Sequence, residues 1–151
     1  MNTPADAPQA RTPRLKTACQ EQLAALAASM DGLRVAVVAS ADGFPLASVG
    51  LQAEESRRIT AMAAALDALG QRLVQELALG AQESALIESA EGLVLCRQVV
   101  NGITPMILLV VTGEGSNPGY ALWAVKKAAR ALSESLGAPG SGAPTTSERE
   151  Q

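Results

Sequence analysis

Residues 33–49 read LRVAVVASADGFPLASV. The first eight are an apolar, β-branched run of the kind that forms a buried strand, and Asp42-Gly43 behind them is a strong hairpin turn. Residues 44–49 make the return strand. Pro45 near its start suits a sheet edge, because proline cannot donate to a hydrogen-bonded ladder. An antiparallel hairpin is therefore the seed of the fold, and the rest of the chain is read outward from it.

On its N-terminal side, Leu15, Cys19, Leu23, Leu26 and Met30 recur at spacings of three or four. This is one stripe of an amphipathic helix, ended by Asp31-Gly32. On the other side a long helix is expected over 54–79, with Glu54 and Glu55 in its first turn and Gly80 as its stop. Strands follow at 84–89, 93–100 and 103–112, joined by Glu91-Gly92 and Asn101-Gly102 turns. Met106 to Val111 is apolar on both faces, as a central strand should be. A last helix over 118–136 buries Leu122, Val125, Ala129, Leu132 and Leu136. The order helix, hairpin, helix, three-strand meander, helix predicts an α/β fold of the α+β type. It is a single five-stranded antiparallel sheet with the long helix on one face and the two terminal helices on the other.

Composition limits the chemistry. The chain has 151 residues, one domain's worth, with a formal net charge of −3. No nucleic-acid partner is suggested by that charge, and no apolar run is long enough for membrane insertion. A single Phe, Tyr and Trp leave the core to aliphatic side chains. Cys19 and Cys96 make neither a disulfide framework nor a metal site, which fits a reduced, cytoplasmic setting. Histidine is absent, removing the usual general base and the commonest metal ligand. No catalytic residue, metal or cofactor is assigned. Residues 1–13 and 138–151 are rich in Pro, Ala, Gly, Ser and Thr and read as disordered tails around a domain at 14–137.

The turn at Gly113-Glu114-Gly115-Ser116-Asn117-Pro118-Gly119 invites a phosphate-loop reading. Its spacing fails G-x-G-x-x-G, it holds no basic residue, and Glu114 would repel a phosphate. Asn117 or Ser116 as N-cap, with Pro118 at the first helical position, makes it a joint between strand and helix. Glu83, Glu88 and Glu91 read as solvated carboxylates, and Cys96 as a small core residue. Tyr120 and Trp123, near Lys127 and Arg130, are either a partner hot spot or a cover over the seam against the first helix.

The long helix carries two apolar faces on a helical wheel. Ile59, Met62, Leu66, Leu69, Leu73 and Leu77 form a stripe expected to face the sheet. About half a turn away lie Arg57, Ala61, Ala64, Ala68, Arg72 and Gln75. Helix propensity alone explains such alanines. Small residues with arginines at the rim also suit the close approach of a partner.

With its segments in this order, the chain resembles the Roadblock family of dynein light chains and their bacterial relatives. The resemblance rests on VAVVASADGFPLAS at 35–48, the alanine-rich long helix, LGAQESALIESAEGLVLCRQVVNG at 79–102, and the late turn before an amphipathic helix. Asn117-Pro118-Gly119 departs from the family's usual turn, where an apolar residue often stands in place of Pro118. The resemblance implies a profilin-like Roadblock architecture and a non-catalytic homodimer joined through third strands and long second helices. It further implies a regulator or scaffold of a Ras-like small GTPase, one bacterial branch activating its GTPase by rearranging that protein's own residues. The alternative is a homodimeric interaction module in a signalling or motor complex without a GTPase; a small nucleotide-binding enzyme using the 113–119 turn ranks behind both. Carried onto this chain, the partner platform is Arg57, Ala61, Ala64, Ala68 and Arg72, and the dimer seam draws on Ser84, Leu86 and Glu88.

Overall fold

The computed structural model of the protein describes residues 3–100 and 105–136. Eight elements follow in the expected order: α1 (Thr3–Ser29), β1 (Leu33–Ser40), β2 (Pro45–Val49), α2 (Ala53–Glu76), β3 (Ala85–Ser89), β4 (Gly92–Val99), β5 (Met106–Thr112) and α3 (Pro118–Leu136). α1 starts at Thr3, so helix extends into the stretch whose composition reads as a tail. The expected 138–151 tail and the Asn101-Gly102 turn lie outside the described residues.

The strands form one five-stranded antiparallel sheet in the order β2-β1-β5-β4-β3. β5 is central, and its all-apolar stretch is buried on both faces. Pro45 stands on an edge strand, where its missing N–H leaves no ladder bond unmade. The register slips between Val38 and Ala39, an irregularity that brings Pro45 opposite Ala39.

Strand alternation sends successive side chains to opposite faces, so the core has two layers. One gathers Cys19, Leu23 and Met30 of α1 and Ala121, Val125 and Leu132 of α3 over Ala36, Val38, Leu95, Leu108 and Val110. The other sets Ala63 of α2 against Val37, Ala39, Cys96, Ile107 and Leu109. The helix that divides the strands in sequence thus covers one face, and the terminal pair covers the other. Burial without charged neighbours pushes the Cys19 thiol up to about 11. Cys96 is pushed up to about 12, mostly by burial and further by the Asp67 carboxylate. Both are inert core residues.

Candidate functional site

α2 begins where Glu55 turns back to accept a hydrogen bond from the Gln52 backbone N–H at 2.9 Å. Such a cap satisfies one of the donors left open at a helix start. Across the sheet the helix meets the β1–β2 turn. Gly43 has φ +92, and a Cβ there would stand 3.2 Å from the Ala61 Cα and 3.6 Å from the Ala64 Cβ. The buried Thr60 hydroxyl lies 3.0 Å from the Gly43 carbonyl, which accepts from it. Ala61 and Ala64 are therefore small because the chain's own turn lies against them.

The side of α2 that meets the sheet is not the one expected. Ser56, Thr60, Ala63 and Asp67 are its buried residues. Met62, Leu69, Leu73 and Leu77, expected to face the sheet, are 58%, 68%, 57% and 59% exposed. Only Ile59 and Leu66 of that stripe reach the core, and only in part. The line of small and polar residues lets α2 sit close to the sheet and rotates the leucines onto its flank, away from the β1–β2 turn and toward β3.

The buried polar residue on this line has partners far away in sequence. One Asp67 carboxylate oxygen accepts from Gln71 Nε2 at 2.6 Å and Gln98 Nε2 at 3.4 Å, and the other from Gln82 Nε2 at 3.1 Å. A Cβ at Gly70 would strike the Gln82 amide at 1.8 Å, so a glycine there makes room for this bond. The cluster ties α2 to β4 and to the loop before β3. Nothing in the helical pattern of α2 distinguishes Asp67; the signal is only a lone carboxylate among apolar residues, with glutamines in two later segments.

The helix also ends earlier than Gly80. Ala78 takes the left-handed conformation at φ 56. Its N–H donates to the Gln75 carbonyl at 3.1 Å, and the Leu79 N–H donates to the Val74 carbonyl at 2.9 Å. These are the two bonds of a Schellman stop, with alanine where glycine is usual.

Of the expected platform, Arg57, Ala61, Ala68 and Arg72 are exposed, while Ala64 is half-buried beneath the β1–β2 turn. Arg72 faces Glu76 one turn on, at 3.5 Å. Of the expected seam residues, Ser84 precedes β3, and its hydroxyl accepts from Arg97 Nη1 at 2.7 Å. Leu86 and Glu88 lie opposite Leu95 and Leu93, on the α1/α3 face of the sheet. Ile87, opposite Val94, is the large apolar β3 residue exposed on the face that α2 covers.

The two sheet edges differ. Ser48 on β2 has its outward carbonyl and N–H occupied by the Gln20 side-chain amide of α1, at 3.0 and 3.4 Å. With Pro45 beside it, this edge is blunted. β3 carries no proline, and four of its five residues are exposed.

At the 113–119 turn, Asn117 caps α3 by accepting the Tyr120 N–H at 3.0 Å, and the Ser116 hydroxyl donates to the Gly113 carbonyl at 2.8 Å. A cleft of about 450 Å³ opens there, and the charged groups lining it are Asp31 and Glu114. Two carboxylates oppose a phosphate. Trp123 is 56% exposed. No described helix is long and apolar enough to cross a membrane.

A model of the Roadblock/LC7 domain matches residues 19–112. No curated protein matches the sequence. Among solved structures, a Roadblock/LC7 domain from Streptomyces avermitilis is similar at 18% identity and TM-score 0.68, over 75% of this chain and 92% of that one. MglB of Myxococcus xanthus is similar at 16% identity and TM-score 0.62, over 80% and 93%. The gliding protein MglB of Thermus thermophilus is similar at 18% identity and TM-score 0.64, over 84% and 91%. At these identities the likeness is one of fold. The family match takes in the C-terminal part of α1, the hairpin that seeds the sheet, the long helix with its exposed leucines, and the meander through β5: the chain belongs to the Roadblock/LC7 domain family.

Proposed function

We propose that the chain is a non-catalytic, homodimeric regulator or scaffold of a Ras-like small GTPase, working in the cytoplasm. The observation that carries the reading is the unpartnered apolar flank of α2 beside an open β3 edge. Four exposed Leu and Met side chains on one flank are more than a solvated helix carries, and they mark an association surface. An isologous pairing about a two-fold axis would bring the two flanks and the two β3 edges together at once. Ile87 then joins the α2 leucines in the seam, with the β3 backbone, Ser84, Leu86 and Glu88 along the junction. The GTPase half of the reading is supported by membership in the family and by the likeness of fold to MglB.

In such a dimer the outward faces of the two helices lie side by side, offering Arg57, Ala61, Ala68 and Arg72 from each protomer. Ala64 contributes through the shape it allows the β1–β2 turn. Any acceleration of hydrolysis would come from rearranging the GTPase's own residues, as the resemblance to the bacterial branch of the family implies. Domain limits of 14–137 remain the functional unit in this reading.

The test combines solution mass with partner binding. Light scattering of the purified chain is expected to give a stable mass near twice 15.5 kDa. A Ras-like GTPase from the same genome is then expected to bind in one nucleotide state only, and Ala68→Glu to abolish that binding while the dimer persists. A monomer at high concentration would overturn the dimer. A dimer that binds partners but no GTPase in either nucleotide state would make it an interaction module of another complex.

A further inference from the structure

The chain's one Phe, one Tyr and one Trp are all solvent-exposed, so its aromatic residues contribute little to its core. Two of them are neighbours on α3. The Tyr120 and Trp123 rings have centroids 6.0 Å apart, tilted by 32°. Lys127 Nζ stands 5.1 Å from the centre of the Trp123 ring, a cation–π contact. Tyr120, Trp123, Lys127 and Arg130 follow at helical spacing along one line of α3, and Lys126 is exposed beside them. The opposite line, Ala121, Val125, Ala129 and Leu132, is buried in the α1/α3 core layer. Among the described residues, Lys126, Lys127 and Arg130 form no ion pair.

We propose that this line of α3 is a docking surface for an acidic segment of a second protein partner. Glutamate or aspartate side chains would meet Lys126, Lys127 and Arg130, while an apolar side chain between them rests on Trp123 and Tyr120. Large aromatics held half-exposed next to cations have the composition of an interface centre. Neither ring is needed by the helix, whose buried line is complete without them. A membrane surface is a poorer match: three cations fall short of the clusters that hold anionic lipid, and the net charge of −3 opposes it. The surface lies on the opposite face of the sheet from α2. A partner here and one on α2 could bind together, making the protein a two-sided adaptor whether or not the α2 partner is a GTPase.

Trp123 is the chain's only tryptophan, so its emission reports this surface alone. The probe is a tryptophan-free peptide of alternating glutamate and leucine, titrated into the full-length protein. A peptide of lysine and leucine and vesicles containing phosphatidylserine serve as comparisons. A saturable blue shift with the acidic peptide is expected, weakening as salt is added. The Lys127→Glu/Arg130→Glu variant, altered only at exposed positions and checked for fold by circular dichroism, is expected to bind about tenfold more weakly. Three results would overturn the proposal: no saturable change with the acidic peptide, equal binding by the variant, or a shift with the vesicles and none with the peptide.

Discussion

The Thr60 hydroxyl donates to the Gly43 carbonyl across 3.0 Å, joining the middle of α2 to the tip of the β1–β2 hairpin. The hydroxyl is fully buried and also lies 2.9 Å from the Ser56 carbonyl of its own helix. Thr60→Val keeps the shape and removes the donor. Loss of one buried hydrogen bond is worth about 1–2 kcal/mol, and urea denaturation should show that decrease with an unchanged slope. A neutral result would mean that close packing of Ala61 and Ala64 alone holds the hairpin to the helix.

Ala78→Gly should stabilise the protein. An L-residue in the left-handed region costs about 1–2 kcal/mol, and Ala78 sits there at φ 56 to close the Schellman stop. Glycine removes that strain but gives the unfolded chain about 0.4–1 kcal/mol of extra entropy. The relief of strain outweighs the added entropy, so a net gain of about 0.5–1 kcal/mol is expected by thermal or chemical denaturation.

The hairpin, the order of elements along the chain, the central place of β5 and both terminal helices were legible because each rests on a local signal such as Asp42-Gly43, the apolar run of β5 or Pro118 behind an N-cap. The order of the strands within the sheet and the rotation of α2 were not. A helical wheel sends the most apolar line to the core, and in α2 that line is Met62, Leu69, Leu73 and Leu77. The sheet instead receives Ser56, Thr60, Ala63 and Asp67. Thr60 finds its long-range partner at Gly43 and Asp67 at Gln82 and Gln98, 17, 15 and 31 residues away, while the buried Ser56 hydroxyl makes no hydrogen bond among the described residues. Those partners become visible only after the chain has folded. The wheel groups the leucines on one line correctly, but it cannot supply which side of the helix meets this chain's own sheet.

Asp67 and Gln82 should prove strongly coupled. The Gln82 amide bridges the Asp67 carboxylate and backbone carbonyl at 3.1 and 3.3 Å. Removing the carboxylate strands the amides of three glutamines, whereas removing Gln82 leaves Gln71 and Gln98 in place. A double-mutant cycle of Asp67→Ala and Gln82→Ala is expected to give an interaction energy of about 1–2 kcal/mol. Hydrogen exchange should show the loop between α2 and β3 loosening in both single variants. Additive effects would mean the cluster does not hold that loop.

Neither thiol should react with a disulfide reagent at pH 8 in the folded protein, and both should react once it is unfolded. Burial raises Cys96 from 9.0 to about 12 and Cys19 from 9.0 to about 11. The folded state therefore holds these protons more tightly than the unfolded one. The stability linked to them is complete below pH 9 and falls as the pH rises toward 11 and 12. Cys96→Ala should flatten the alkaline decline in denaturation measured from pH 8 to 11. An equally steep decline in that variant would place the sensitivity on other groups.

Leu69→Lys/Leu73→Lys should separate folding from association. Both leucines are more than half exposed in the single chain, so the substitutions remove little buried area and stability at low concentration should change by under about 0.5 kcal/mol. If the α2 flank is the seam, two lysines from each protomer would be driven together across a two-fold axis, and the mass should fall to that of one chain. Arg72→Ala, on the outward face of the same helix, should leave the mass unchanged. The pair of variants distinguishes the flanks of one helix. If the lysine variant stayed dimeric while Arg72→Ala dissociated, association would run through the alanine face, and the leucine flank would be left for the partner instead.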